Sequence, residues 1–272
     1  RVREFGRLKE MGIKGIKVDF FGGDGQSVMA YYQDIFEDAA KFGLIVNCHG
    51  ATLPRGWQRT YPNLLTVEAI KGFEYVTFEQ GNANFEPTHC CTAAFTRNVF
   101  DPMDFTPVCF SEVPNIKRIT TNGFELALAV IFTSGIQHYA QTPEGMASVP
   151  DYVKDFMREI PSYWDDTRFI EGFPGKHVVV ARRFENKWYV AGINGENVEK
   201  SINVELSFPP QGPATQTAGK RRTSLKNIKT GMLITDGADN RSFDMQNIMI
   251  TPGKPLGIKL KGNGGFVIKV EN

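Results

Sequence analysis

The sequence predicts an α/β part followed by an all-β part. The first reads as the later strands of a partial (β/α)8 TIM barrel or as an open parallel sheet; the second reads as a C-terminal antiparallel β-sandwich. Three observations predict this. Helix, strand, helix and strand patterns succeed one another over residues 1–50 with short connections, the signature of parallel βα units. Three successive strand patterns then end in polar residues on one face. Finally, composition changes near Gly172-Phe173-Pro174-Gly175, after which apolar and polar residues alternate between turn signals. The division therefore falls between residues 1–171 and 172–272.

In order, residues 1–12 carry Val2, Phe5, Leu8 and Met11 at helical spacing, with Gly12 as a C-cap. A strand follows over residues 15–21. Alternation puts Lys17 and Asp19 on one side and Ile16, Val18 and Phe20 on the other. A central parallel strand is usually apolar on both faces. A cation and a carboxylate at its C-terminal end are either a salt bridge or the start of an active site, since α/β barrels keep their chemistry there. Asp24 or Ser27 can cap the next helix, whose stripe is Val28, Tyr32, Ile35, Phe36 and Ala39. The second strand, residues 44–50, places Asn47 and His49 on one face and Cys48 toward helices. A loop carrying Trp57 and Arg59 leads to a third strand, residues 64–68, with Thr66 and Glu68 on one face.

Residues 69–113 show little periodicity and several Gly and Pro, which suggests a functional loop system. A helix is expected from Asn115 to Thr133, a barrel strand over residues 134–139, and an amphipathic helix from Val149 to Tyr163. About seven short strands follow, with Pro209 to Lys229 as a polar loop; Lys220-Arg221-Arg222 within it reads as a solvated run. A full barrel needs about 250 residues, whereas residues 1–171 offer about five βα units.

With 272 residues there is room for one large domain or two ordinary ones. The formal charge of +1 gives no reason to expect nucleic acid or an anionic membrane as partner. No run approaches the roughly 18 apolar residues of a membrane span. No signal peptide is visible, but the chain opens with Arg1-Val2-Arg3-Glu4-Phe5, already inside a helix pattern, as the middle of a longer protein would. Cys48, Cys90, Cys91 and Cys109 fit no zinc spacing and no obligatory disulfide framework. Asp19, Glu68 and Glu74 stand at or just past strand ends, and paired carboxylates are a common device for acid–base work on an unactivated bond. Glu79, Glu86 and Asp104 receive no chemistry.

Several ordered motifs resemble glycoside hydrolase family 97: Lys17-Val18-Asp19-Phe20, Asn47-Cys48-His49-Gly50-Ala51, Arg59-Thr60-Tyr61-Pro62-Asn63, Glu68 with Glu74, and Pro102-Met103-Asp104-Phe105-Thr106-Pro107. The resemblance implies a catalytic (β/α)8 barrel and a C-terminal β-sandwich, with an N-terminal domain and first barrel strands supplied by a missing N-terminal part of the same protein. It implies an extracytoplasmic or periplasmic glycosidase, of a family found mainly in Bacteroidetes, acting on oligosaccharides or glycosides. Retaining members carry an aspartate where Asp19 stands, and inverting members carry a glutamate where Gly50 stands. The resemblance thus implies a retaining α-galactosidase, with Asp19 as nucleophile and Glu74 as acid/base. It further implies Glu68 as a ligand of a calcium ion, and Lys17, His49 and Arg59 as substrate contacts. Asp19 must then be ionised and Glu74 protonated when substrate arrives.

Blander readings stand beside these. Glu68 can be a salt-bridge partner, His49 a satisfied core histidine, Arg59 a loop anchor, and Trp57 plain packing rather than a sugar platform. At the level of function the alternatives are an α-glucosidase of the same family, a non-catalytic carbohydrate-binding fragment, and a metal-dependent aldolase or isomerase with Lys17 as Schiff base.

Overall fold

The computed structural model describes residues 1–206, 229–251 and 253–271. The Lys220-Arg221-Arg222 run and all of the 209–229 loop except Lys229 lie outside the described residues.

Helix α1 (Val2–Glu10) leads to β1 (Gly15–Val18), and α2 (Gln26–Lys41) to β2 (Ile45–Cys48). A 3-10 turn (Trp57–Arg59) precedes β3 (Leu64–Val67). The three strands form one parallel sheet in the order β1-β2-β3. Tyr32, Ile35, Phe36 and Ala39 of α2 bury against Val46 and Cys48 of β2. Several boundaries differ from expectation. Only Phe5 of the α1 stripe is buried, and Val2 and Met11 face outward. Gly25 occupies the N-cap of α2, and neither Asp24 nor Ser27 caps it. Strand β1 stops at Val18. Phe20 has φ +64° and is 93% exposed, so it leaves the apolar side it was expected to share with Val18. A left-handed residue breaks the two-residue period on which that expectation rests. Trp57 is buried, its ring 4.9 Å from Tyr32 and 5.6 Å from Phe36, so it packs the core and offers no sugar platform.

Residues 69–113, expected as loops, contain α3 (Phe73–Val76), α4 (Gln80–Ala93) and α5 (Arg97–Phe100). Helix α4 holds Pro87 in its interior and buries Ala83, Glu86, Pro87, Cys90, Cys91 and Ala93. A helix whose buried set includes a carboxyl and a proline shows no clean apolar stripe. Burial, and next the Glu125 carboxyl, push Glu86 well above the usual carboxylate range.

Helix α6 (Asn122–Ile131) is shorter than the expected Asn115–Thr133. The Thr121 hydroxyl accepts the Phe124 N–H at 3.0 Å and caps the helix there. All ten of its residues are buried. A short helix α7 (Pro143–Ser148), not expected, precedes α8 (Asp151–Arg158), which is shorter than the expected Val149–Tyr163 helix and ends ahead of Pro161. Residues 134–139 form no strand. Instead Met103 makes an isolated parallel bridge to Val67, with its N–H on the Thr133 carbonyl at 3.0 Å.

The remaining strands are β4 (Asp166–Phe173), β5 (His177–Phe184), β6 (Lys187–Asn194), β7 (Lys200–Val204), β8 (Lys229–Asp236), β9 (Phe243–Ile250), β10 (Leu256–Leu260) and β11 (Gly265–Glu271). Six form an antiparallel sheet, β4-β5-β6-β11-β8-β9, and β10 pairs with β7. The compositional change at residues 172–175 is thus the β4–β5 turn. Val179, Ala181, Val190 and Ile268 of the large sheet share a core with Ile202, Val204, Ile258 and Leu260 of the small one. The opposite face of the large sheet takes α6, and Ala191, Val267, Phe124 and Leu128 belong to one apolar cluster. The sheet also grips both ends of α6. Asp236 Oδ1 accepts the Gly123 N–H at 2.9 Å. The Arg182 guanidinium donates to the carbonyls of Val130 and Ile131, both at 2.6 Å. A carboxylate at the N-terminus and a cation at the C-terminus complement the helix dipole.

All four cysteines are free and buried. Burial pushes the Cys48 and Cys91 thiols up to about 12, which makes them poor nucleophiles. Among the described residues no helix is long and apolar enough to cross a membrane.

Candidate active site

Parallel register aligns the polar residues of the three strands. Lys17 pairs with Asn47, and Asn47 with Thr66. One step further along, backbone bonds run from His49 N–H to Val18 O (2.8 Å), from Glu68 N–H to Cys48 O (2.8 Å) and from Asp104 N–H to Val67 O (3.2 Å). Asp19, His49, Glu68 and Asp104 therefore stand together just past the C-terminal ends of β1, β2, β3 and the Met103 bridge.

Asp104 is the centre. Its side chain is wholly buried. Oδ2 accepts from Lys17 Nζ at 2.8 Å, His49 Nδ1 at 2.9 Å and Asn47 Nδ2 at 3.0 Å; Oδ1 meets His138 Nδ1 at 3.0 Å. Burial alone would raise its pKa. The bonds from His49, Lys17, Asn47 and His138 outweigh burial and hold the carboxyl well below the usual range. The lysine at the end of β1 thus pairs with Asp104, and the salt bridge considered between Lys17 and Asp19 is replaced by a larger network.

His49 passes that charge outward. Its Nε2 lies 3.0 Å from Glu74 Oε2 and 3.1 Å from Glu68 Oε1. The Asp104 bond raises the His49 pKa, burial opposes it, and Glu68 and Glu74 add to the rise. Glu68 is pushed up by burial, with Asp19 and Asp104 contributing, while His49 and the Gly50 N–H pull it down. Glu74 lies on α3, with its side chain 63% exposed. Helix α3 is fastened to the hub's own segment. The Phe73 N–H bonds the Phe105 carbonyl at 2.9 Å, and a Cβ on Gly72 would lie 2.7 Å from that oxygen.

Asp19 is exposed, and its Oδ1 accepts the Phe20 N–H at 2.6 Å. Gly50 fits beneath it with φ +50°, donating its N–H to Glu68 Oε2 at 2.7 Å. A Cβ at Gly50 would come 2.5 Å from Asp19 Oδ1 and 2.9 Å from Phe20 N. A side chain at position 50 and the Asp19 carboxylate in this position exclude each other. Gly50→Ala is therefore expected to displace Asp19. It should cost at least about 1 kcal/mol from the left-handed backbone alone, read by chemical denaturation. Ala69, directly after Glu68, also has positive φ, +40°. Non-glycine residues held there cost on the order of 1–3 kcal/mol and gather at functional sites.

Of the residues singled out in the sequence, Lys17, Asp19, His49, Glu68 and Glu74 are brought together. Arg59 is not: it is exposed on the 3-10 turn, and its charge acts on Asp101. Sequence reasoning missed Asp104 and His138. The signal for Asp104 was its place in Pro102-Met103-Asp104, an extended stretch too short to read as a strand. For a hard cation the donor chemistry fits in part. Glu68 and Glu74 each bring a carboxylate oxygen to His49 Nε2, and Asp19 and Asp104 add negative charge acting on Glu68. Among the described residues no three His, Cys, Asp or Glu side chains form a metal-binding group, and calcium takes about 6–8 oxygens.

Comparison with known proteins gives a consistent result. The family described as "Glycoside hydrolase 97" matches residues 2–70, and "Glycosyl-hydrolase 97 C-terminal, oligomerisation" matches residues 163–271. A protein of Streptomyces bingchenggensis named "Probable retaining alpha-galactosidase" is 37% identical over 185 residues, 68% of this chain and 28% of that protein. A "Retaining alpha-galactosidase" of Bacteroides thetaiotaomicron is 30% identical over 96% of this chain and 39% of its own length. The chain thus spans about a third of the length of these curated relatives. Among solved structures, a beta-arabinopyranosidase superposes with a TM-score of 0.88 at 33% identity, over 99% of this chain and 41% of that one. A glycoside hydrolase family 97 enzyme in complex with acarbose, from Pseudoalteromonas sp. strain K8, gives 0.83 at 24% identity over 99% and 44%, a likeness of fold.

Proposed function

The chain belongs to glycoside hydrolase family 97, and on that premise we propose that it carries the catalytic groups of a retaining, exo-acting α-galactosidase. The observation that carries this reading is one unbroken line of contacts, from Glu74 through His49 and Glu68 to Gly50 and Asp19. It links two exposed carboxyl groups, Glu74 and Asp19, through one fixed imidazole and its neighbour Glu68. Asp19 attacks the anomeric carbon while Glu74 gives its proton to the departing oxygen. Glu74 then takes a proton from water, which displaces Asp19 from the same face that the aglycone left. Lys17 and His49, held by Asp104, bind and orient the sugar. Arg59 has no place in this account.

In the architecture we propose, β1, β2, β3 and the Met103 bridge are successive strands of a (β/α)8 barrel. The barrel part ends ahead of β4 and the β-sandwich begins with it, a few residues earlier than the 171/172 division expected, because Asp166–Phe173 already pairs antiparallel with β5. Support comes from the parallel sheet and from the meeting of polar side chains at its C-terminal end. Glu68 would hold a calcium ion together with oxygen donors from the N-terminal part of the same protein. Such an ion would supply positive charge among four carboxylates. The protein would work outside the cytoplasm.

The test is product NMR on the full-length protein with an aryl α-galactoside. The α-anomer is expected first; initial appearance of the β-anomer would overturn the role of Asp19. The 272-residue chain alone is expected to give no turnover. A second reading, favoured by the beta-arabinopyranosidase likeness, is hydrolysis of β-L-arabinopyranosides, which show the ring hydroxyls of an α-galactoside without its hydroxymethyl group. The ratio of kcat/KM on the two aryl glycosides, with an aryl α-glucoside as third substrate, decides between them.

A further inference from the structure

His138 lies outside every motif that carried the family resemblance, yet it is built into the same hub as Lys17 and His49. Its segment has no regular structure but is tightly stitched. Ser134 Oγ donates to the Ile136 carbonyl at 2.6 Å and lies within hydrogen-bond distance of Thr66 Oγ1 at 3.0 Å, and the Ala140 N–H bonds the Pro107 carbonyl at 3.0 Å. These anchors fix the backbone on both sides of His138. The ring is fixed by Asp104, whose Oδ1 lies 3.0 Å from Nδ1 while Oδ2 holds Lys17 and His49. The His138 side chain remains 42% exposed, and its Nε2 has no partner among the described residues.

A buried carboxylate on Nδ1 selects the tautomer that carries its proton there. In that tautomer the neutral ring offers an Nε2 lone pair, an acceptor, while the Lys17 ammonium, a donor, holds the other oxygen of the same carboxylate. Both groups lean on the same carboxylate. An acceptor and a donor anchored on one carboxylate can serve two hydroxyls of a bound sugar, one giving its proton to Nε2 and the other accepting from Nζ. If His138 were only structural, a half-exposed ring would have no need of a buried anion that already takes three other bonds.

We propose that His138 is a specificity-determining residue that accepts a hydrogen bond from one hydroxyl of the glycone sugar, with Asp104 as the group that positions it. The proposal rests on the glycosidase reading above.

The experiment pairs His138→Ala and His138→Gln in the full-length protein with 4-nitrophenyl α-galactosides deoxygenated singly at C2, C3, C4 or C6. The unsubstituted protein is expected to lose about 10- to 100-fold in kcat/KM on the substrate lacking the contacted hydroxyl. His138→Ala should be down by a similar factor on the parent substrate and lose nothing further on that one deoxy sugar. It should still lose the usual factor on the other three. His138→Gln, which keeps an amide group near the Nε2 position, should recover part of the loss. Equal further losses by His138→Ala on all four deoxy sugars, or no loss on the parent substrate, overturn the assignment while leaving the glycosidase reading intact. Failure of the unsubstituted protein to cleave α-galactosides, α-glucosides and β-L-arabinopyranosides overturns both.

Discussion

Asp19→Ala is expected to lower kcat on an aryl α-galactoside by about 10⁴-fold, with the fold unchanged. The magnitude follows from the loss of the covalent route, since removing a nucleophile from a concerted group commonly costs that much or more. Stability should move by no more than about 0.5 kcal/mol, because Asp19 is exposed and, among the described residues, its side chain bonds only the N–H of its own neighbour, Phe20. An external nucleophile such as azide fits the space the carboxylate leaves, and should restore part of the rate with a β-configured glycosyl azide as product. Steady-state kinetics with and without azide is the measurement. Undiminished kcat in Asp19→Ala would remove the double-displacement mechanism.

Asp104→Ala is expected to be the most destabilising substitution near the site, at about 3–5 kcal/mol. It would leave Lys17, Asn47, His49 and His138 facing a space with no acceptor. Urea denaturation reads the loss, and turnover should vanish with it. Asp104→Asn keeps the shape but removes the charge, and should be milder in stability than alanine. The sign of the pH effect follows from the depressed carboxyl. Its contribution is complete above the ordinary aspartate value of 3.8 and is lost as pH falls below that value toward the folded one. His49 has the opposite sense. Its raised pKa gives stability that is full below 6.5 and fades as pH rises through the folded value. Asp104→Asn should therefore flatten both limbs of the stability profile between acid and mildly alkaline pH.

The α/β alternation of residues 1–67 was legible because each strand and each helix repeats its own period over a whole element. The polar faces of the strand ends were legible for the same reason, and they led to Lys17, Asp19, His49 and Glu68. Asp104 was not legible, since a one-residue bridge has no period. Its meaning lies in four side chains that come from 34 to 87 residues away along the chain. Helix α4 was hidden by burial of Glu86 and Pro87, and Phe20 by a left-handed turn that local composition does not announce. Arg59 shows the opposite error: a residue carried over with its motif was left on the surface.

The grip of the antiparallel sheet on α6 bears on how such a protein can be cut and rejoined. Asp236 and Arg182 supply the counter-charges at the two ends of a helix whose every residue is buried. The chain just beyond that helix, at Thr133, holds Met103, and Met103 is followed by Asp104. A chimaera joined at the β4–β5 turn would hand this helix a foreign sheet without those two side chains. The hub would then be misplaced although no hub residue had been altered. Recombination between relatives should accordingly be tolerated only where donor and recipient share that aspartate and that arginine, so the sheet is inherited with the site as a single unit.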